Sequence, residues 1–183
     1  MKRTIGIIAW LFLIAYGLIY SIFFNPGSTF LVDLFTGSAD PLAFMVFNLL
    51  GMIPLAFFVF FWQYYELKWF HYLFLAGGFV FGGFATGALF VFMPEAKPVP
   101  KRQTNVLVAG LIITLAVIIY GLFFGSLDAY IQAFETDTFV HVMTIDFFVL
   151  FIFYLALPKL NKGVIQLFFV PAFYIQMLLG DVT

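Results

Sequence analysis

Residues 106–124 read VLVAGLIITLAVIIYGLFF, a run without a single Lys, Arg, Asp or Glu. A helix that crosses the hydrocarbon core of a bilayer needs about 20 apolar residues, and this run is close to that length. Five comparable runs occupy residues 5–24, 42–62, 69–93, 139–157 and 164–179. With 64% hydrophobic residues, 9% charged residues and a mean hydropathy of +1.12, the chain has more apolar surface than a water-soluble fold of 183 residues can bury. The solvent is therefore a bilayer, in which helices satisfy their own backbone hydrogen bonds.

The six runs predict an all-α, polytopic bundle of six transmembrane helices. The first five are long enough to span, whereas the sixth is shorter and contains Pro171, so it spans with a kink or lies partly at the interface or within a partner. Short connections leave no room for a soluble domain. We therefore expect one membrane domain over residues 1–183.

The segment 94–105 divides the chain into two halves, 1–93 and 106–183. Its three prolines and three cations predict an extended, exposed linker. The halves look alike, since residues 18–24 (LIYSIFF) stand 100 residues before 118–124 (IIYGLFF). A duplication of three spans would invert the second copy across the membrane, as in many transporters; chance similarity between two apolar strings is the alternative.

Two elements carry a resemblance to a known family. They are the Tyr-Gly pairs Tyr16-Gly17 and Tyr120-Gly121 and the segment 139–146 (FVHVMTID). In these the chain resembles a family of small multi-span bacterial and cyanobacterial membrane proteins that is known as a domain of unknown function. The resemblance implies a helical architecture and a bacterial inner, or related, membrane. It implies no activity.

Composition excludes several classes of function. There is no cysteine, so disulfides, thiolate metal sites and cysteine nucleophiles are excluded. The net charge of −1 gives no basic surface for nucleic acid. His-Glu-x-x-His and Gly-x-Ser-x-Gly motifs are missing, and Asp146 has no second carboxylate at close membrane depth. We therefore do not favour an enzyme and predict no metal site.

A few polar residues at or near membrane depth are the candidate functional residues. Asp146 lies eight residues into the fifth run, where an ionised carboxylate is costly, so it is a proton or cation site or a structural hydrogen-bonding group. Asn48 is its counterpart in the second run, and with six spans the two lie at mirrored depths, too far apart to pair. Asn48 then joins helices. Thr144 and Asp137 complete this set.

His71 and His141 are the candidate cofactor ligands. Each is the third residue of an odd-numbered run, so six spans would place both at the same depth near the N-terminal side. Asp137 precedes His141 by four residues and could orient its ring. Two such histidines could ligate a haem iron or a chlorophyll magnesium, although interfacial histidines without such a role are common. Haem, pigment and quinone all lack a specific motif, and the cofactor stays unknown.

Glycines crowd the third run, in the order Gly78, Gly82, Gly83 and Gly87 after Gly77. Spacings of four residues between small residues allow two helices to approach closely, so we interpret these glycines as a packing face. The partner helix is either internal or part of another subunit.

Orientation and function stay open between alternatives. With six spans the linker side has five cations against three, which predicts a cytoplasmic linker, although Lys2-Arg3 argues for the reverse. We favour a non-catalytic membrane protein that is a subunit of a membrane complex or binds a lipophilic ligand. The alternatives are a small-solute or ion transporter or channel built from inverted repeats, and a membrane enzyme acting on lipid. Expected partners are membrane lipids, other membrane subunits or a second copy of the chain.

Overall fold

The computed structural model describes residues 2–24, 27–97, 104–157 and 169–179. The start of the sixth apolar run, residues 164–168, lies outside the described residues. The helices are α1 (Lys2–Phe23), α2 (Phe30–Thr36), α3 (Pro41–Tyr64), α4 (Trp69–Phe81), α5 (Gly83–Thr86), α6 (Ala88–Val91), α7 (Thr104–Phe124), α8 (Leu127–Thr136), α9 (Thr138–Ala156) and α10 (Phe169–Leu179). Two-residue strands β1 (Tyr65–Glu66) and β2 (Glu95–Ala96) complete the fold.

Four of the described helices, α1, α3, α7 and α9, are long and apolar enough to cross a membrane. The expected class is therefore confirmed: the chain forms an all-α, multi-pass bundle, and its helix lengths and composition are those of an integral membrane protein. The third run does not form one long helix, since α4 has only 13 residues, and the sixth span stays a prediction, because the structure describes only 11 residues of α10. At about 1.5 Å per residue, helices of that length cover only part of a ~30 Å core.

The four long helices pack as antiparallel pairs. The backbone N–H of Thr138 donates to the Gly27 oxygen, so α9 begins where α1 ends. The Ser126 N–H donates to the Asp40 carboxylate, so α7 ends where α3 begins. We call the end of the bundle where α1 and α7 begin, and where α3 and α9 finish, the N-terminal end. The other end, where α3 and α9 begin, is the opposite end.

The third apolar run forms a hairpin instead of a span. Strand β1 precedes this run, strand β2 follows it, and the two pair antiparallel, with Tyr65 opposite Ala96. The chain therefore enters along α4, turns inside the bundle, and returns through α5 and α6 to the same end. The guanidinium of Arg3 donates to the Phe90 and Val91 oxygens, which places the end of α6 beside the N-terminus. We call residues 69–93 the re-entrant hairpin.

The hairpin also corrects the predicted symmetry. Because the chain has not crossed the membrane between β1 and β2, α7 starts from the same end as α1 and runs parallel to it. The similar segments 18–24 and 118–124 therefore both lie at the opposite end of the bundle. An inverted relation between the halves is wrong, and a duplication stays a prediction from sequence alone.

The two ends differ in charge. Lys2, Arg3, Lys68 and Lys97 lie at the N-terminal end. In the described part of the chain, the opposite end has no Lys or Arg but five carboxylates, which are Asp33, Asp40, Asp128, Glu135 and Asp137. Helices α2 and α8 also lie at this end. Because their exposed apolar residues include Phe35 (87% exposed) and Leu127 (64%), they fit an interface with lipid headgroups better than bulk water.

Candidate functional site

The Asp146 carboxylate lies at the tip of the re-entrant hairpin. Its side chain comes from the middle of α9 and is only 5% exposed. The backbone N–H of Gly83 donates to Oδ1 at 2.9 Å and to Oδ2 at 3.1 Å. Gly83 is the first residue of α5, and the first N–H groups of a helix have no partner within it. Asp146 thus caps a helix that belongs to a different part of the chain.

Glycine is required where the hairpin turns. Gly82 has φ +54° and ψ −130°, a conformation that is strained for any residue with a side chain. A Cβ at Gly82 would also overlap Asp146 Oδ2, and one at Gly83 would overlap Oδ1. The Thr86 hydroxyl donates to the Gly82 oxygen at 2.9 Å, so the carbonyl at the turn is satisfied as well. The carboxylate and the two glycines therefore fit one another closely.

The turn lies deep in the bundle. At about 1.5 Å per residue, Gly82 is about 20 Å along α4 from Trp69, and Asp146 is about 12 Å along α9 from Thr138. These two depths are measured from opposite ends, and together they match the ~30 Å hydrocarbon core. Asp146 is therefore at hydrocarbon depth, in the half of the bundle nearer the opposite end.

A cavity of about 520 Å³ lies between α3, α4 and α9, next to Asp146. Among the described residues, Asn48 and Asp146 are the polar side chains that line it, and the other lining residues are apolar or glycine. Asn48 Nδ2 donates to the Phe44 oxygen of its own helix, and the two polar side chains form no direct hydrogen bond. The expectation of mirrored depths was wrong, because α3 and α9 both begin at the opposite end. Asn48 and Asp146 consequently share one cavity.

His141 lies at the opposite end, not near the N-terminal end as the six-span topology predicts. Its ring stacks between Tyr20 and Phe134, with centroid distances of 3.9 and 4.2 Å. Nδ1 is 2.9 Å from the Phe134 carbonyl oxygen, so it carries a proton and donates it. Nε2 then accepts from the Tyr16 hydroxyl at 2.5 Å. Both ring nitrogens are occupied.

His71 lies at the N-terminal end, at the start of α4. Its Nδ1 accepts from the Lys68 N–H at 2.8 Å, and its Nε2 donates to the Phe92 oxygen at 2.8 Å. The ring thus joins the first turn of the hairpin to its last residues. The two histidines are at opposite ends of the bundle, and in this arrangement neither has a free lone pair for a haem or chlorophyll metal. No group of three His, Asp or Glu residues in the described ranges could hold a metal ion.

Asp137 caps two helices instead of orienting His141. Its Oδ1 accepts from the Phe139 and Val140 N–H groups of α9, and its Oδ2 accepts from the N–H groups of Thr29 and Phe30 at the start of α2. The Ser28 hydroxyl donates to it as well. Burial by itself raises the pKa of this carboxyl, but these hydrogen bonds outweigh it and hold the pKa below its ordinary value.

Thr144 connects α9 to α8. Its hydroxyl donates to the Val140 oxygen at 2.7 Å and therefore accepts from the Tyr130 hydroxyl at 2.6 Å. It does not line the cavity. This contact fixes α8 against the bundle.

The glycines of the hairpin contact helices of the same chain. A Cβ at Gly78 would meet Pro54 of α3 and Thr86, and one at Gly87 would meet Trp10 of α1 and Phe153 of α9. The Trp10 Nε1–H also donates to the Phe84 oxygen at 2.7 Å. The close approach that the small residues allow is thus internal.

Sequence reasoning missed the cavity and the turn that borders it. Gly51 of α3 lines the cavity, and a Cβ there would meet no atom within 4 Å. Nothing in the type or spacing of Gly51 marks it as a lining residue. The turn did leave a signal, since five glycines within residues 77–87 are a costly composition for a continuous helix.

No family model matches the chain, and comparisons with curated proteins and with solved structures found no significant match. The resemblance based on the Tyr-Gly pairs and on residues 139–146 therefore stays a prediction.

Proposed function

We propose that this chain is a non-catalytic integral membrane protein that binds a lipophilic ligand in the cavity beside Asp146. The observation that carries the proposal is the cavity of about 520 Å³, which is lined by apolar side chains and contains two polar groups. Small-molecule sites have this size and composition, with a few polar groups that fix the orientation of the ligand. Toward the N-terminal end, fully buried residues such as Leu13, Phe57 and Phe153 close the bundle.

The orientation follows from charge. Cytoplasmic connections are enriched in Lys and Arg, and the four described cations outside the helix interiors all lie at the N-terminal end. We place this end in the cytoplasm, with the visible part of the linker, and the acidic opposite end outside it. The cavity then lies in the outer half of the membrane.

Cavity-filling substitution provides the test. Gly51→Phe adds an aromatic side chain in open space within the cavity, so it blocks the cavity without a clash at Cβ. Ala109→Phe makes the same kind of change on an exposed face of α7, away from the cavity, and is the matched control. Both variants would be reconstituted in zwitterionic lipid nanodiscs and titrated with a neutral naphthalene dye whose emission changes in apolar surroundings.

Saturable binding to the parent and to Ala109→Phe, with at least tenfold weaker binding to Gly51→Phe, is the expected result. Equal binding to all three proteins would show that the dye binds in lipid or on the outer surface, and the proposal would then be wrong. Intact folding of Gly51→Phe is checked by its helical circular dichroism.

A transporter or channel is the second candidate, and the broken helix favours it. Discontinuous helices whose ends meet a polar group at membrane depth are typical of transport sites. The test is proton and solute flux into proteoliposomes, compared between the parent and Asp146→Asn. Flux that depends on Asp146 would replace the binding proposal with transport.

The subunit hypothesis loses its main sequence argument, because the glycine face contacts α1, α3 and α9 of the same chain. Lipid contacts are expected along the exposed apolar faces of α1 and α7. An enzyme acting on lipid through His141 and Asp146 has no support in the geometry, since His141 is absent from the cavity lining.

A further inference from the structure

The polar side chains that line the cavity offer more hydrogen-bond acceptors than donors. Asp146 contributes two carboxylate oxygens, and Gly83 occupies one side of them. The amide nitrogen of Asn48 donates one hydrogen to the Phe44 oxygen, which leaves Oδ1 as an acceptor and the second N–H as a donor. No Lys, Arg or His is found among the described residues that line the cavity. A ligand that complements the Asp146 carboxylate supplies a hydrogen-bond donor.

We propose that the ligand is a lipophilic amine, bound with its ammonium group against the Asp146 carboxylate. This inference rests on the proposed binding function and names the class of ligand. An ammonium–carboxylate pair is net neutral, wherever the shared proton lies, so it avoids most of the cost of a single charge at hydrocarbon depth. A carboxylate or phosphate ligand would instead add a second negative charge beside Asp146.

The apolar part of the cavity fits the rest of such a molecule. Five phenylalanines line it: Phe47, Phe79, Phe81, Phe84 and Phe139. Aromatic faces attract organic cations and bury alkyl chains equally well. The cavity thus combines the carboxylate, the aromatic rings and the volume that an amphiphilic amine requires.

The mouth of the cavity lies at membrane depth. Three lining residues at the end of α4 are also exposed: Phe79 by 48%, Val80 by 76% and Phe81 by 63%. They are about 15–18 Å along α4 from Trp69, well inside a ~30 Å core. A ligand therefore enters sideways from the bilayer, which selects for molecules that already partition into lipid.

The test uses three fluorescent probes with the same dansyl group and alkyl chain but different ends: a primary amine, an alcohol and a carboxylate. Energy transfer from tryptophan to dansyl reports binding in nanodiscs of zwitterionic lipid, which do not concentrate the amine electrostatically. Protein with Gly51→Phe gives the signal from probe that is merely dissolved in lipid. This baseline is subtracted for each probe.

In the parent protein we expect the amine to bind at least tenfold more tightly than the alcohol, and the carboxylate to bind most weakly. A tenfold ratio corresponds to about 1.4 kcal/mol. In Asp146→Asn, which keeps an oxygen for the Gly83 N–H, affinity for the amine should fall to that of the alcohol. Affinity for the alcohol should change by no more than about twofold.

The outcomes separate this inference from the function on which it rests. Equal affinity of the parent for amine and alcohol overturns the amine assignment but leaves the cavity as a binding site. Binding of every probe that is unaffected by Gly51→Phe overturns the binding function itself. The comparison of probes on the parent decides the question even if Asp146→Asn does not fold.

Discussion

Replacing Gly82 by alanine is the most direct test of how the hairpin turn is held. The added methyl group has two effects. It forces a residue with a side chain into φ +54° and ψ −130°, and it occupies the position of Asp146 Oδ2. The carboxylate must then move away and release the Gly83 N–H.

The expected cost is the sum of these two effects. A strained backbone conformation costs about 1–3 kcal/mol, and loss of a hydrogen bond to a carboxylate costs about 1.5–3 kcal/mol. Gly82→Ala should therefore destabilise the protein by roughly 2.5–6 kcal/mol. Gly51→Ala is the control, because Gly51 is inside α3 with open space at its Cβ. There, alanine should stabilise the helix by about 0.5–1 kcal/mol.

A double-mutant cycle separates the two contributions. Without a carboxylate, as in Asp146→Ala, the methyl group has nothing to displace, and Gly82→Ala should cost only the backbone part of about 1–3 kcal/mol. Stability would be measured by titration with a denaturing detergent in mixed micelles. Tryptophan fluorescence reports on the hairpin, because the Trp10 indole donates to the Phe84 oxygen and Trp69 is the first residue of α4.

Two results would refute this reasoning. If Gly82→Ala were as stable as Gly51→Ala, the turn would not be strained. If its cost were the same with and without the Asp146 carboxylate, the contact between the turn and the carboxylate would have no energetic role.

Three further predictions concern topology and the end groups. Cysteines introduced together by Glu66→Cys and Glu95→Cys should form a disulfide on mild oxidation, because the two residues are opposite each other in the antiparallel strand pair. Six spans would instead separate them by the thickness of the membrane. Absence of the cross-link in folded protein would contradict the hairpin. Asp137→Asn should cost about 1 kcal/mol of stability at neutral pH. Because folding lowers the pKa of Asp137, the stabilisation by its carboxylate is fully present above the ordinary pKa of ~4 and is lost as the pH falls through the lowered pKa. The difference in stability between the variant and the parent, measured by unfolding in detergent, should therefore become smaller at that low pH. Nitrogen NMR should find opposite tautomers, with the proton on Nδ1 in His141 and on Nε2 in His71, and a single shared tautomer would contradict the hydrogen bonds described for one of them.

Hydropathy was sufficient to locate the long helices. The run 106–124 became α7 (Thr104–Phe124), and the run 139–157 became α9 (Thr138–Ala156). Agreement is this close because the bilayer forces the backbone of an apolar run into a helix, and the first polar residues on either side end it. Capping residues refine the ends, as Asp137 does at the start of α9.

Hydropathy could not distinguish the re-entrant hairpin from a span. Residues 69–93 contain no Lys, Arg, Asp or Glu, and they are shielded from water whether the chain crosses the membrane or turns back within it. Within the run itself, only the local cost of glycine in a helix differs between the two, and the spacing of the five glycines also indicates a packing face. They do allow close packing, but Gly82 also makes the turn.

The candidate site was predicted in part, for a physical reason. Asp146 could be selected from sequence because a carboxylate at hydrocarbon depth requires a compensating environment. Its partner is the backbone N–H of Gly83, which no side-chain pattern reveals. The depths assigned to His141 and Asp146 were wrong because both assignments counted the hairpin as a crossing, whereas Asn48 precedes the hairpin and enters the bundle from the predicted end.

The distribution of charge is a second argument for the hairpin, beside its strand pairing. With six spans, the eight Lys and Arg residues divide into three on the N-terminal side and five on the other, and the rule that cytoplasmic connections are positive gives conflicting answers. If residues 69–93 turn back, every described Lys and Arg residue, including Lys68 and Lys97 on either side of the hairpin, lies on the N-terminal side. The conflict with Lys2-Arg3 then disappears. The positive-inside rule, which concerns charge alone, thus gives the same topology as the turn at Gly82. This agreement is the strongest reason to look for the ligand in the acidic, outer half of the bundle.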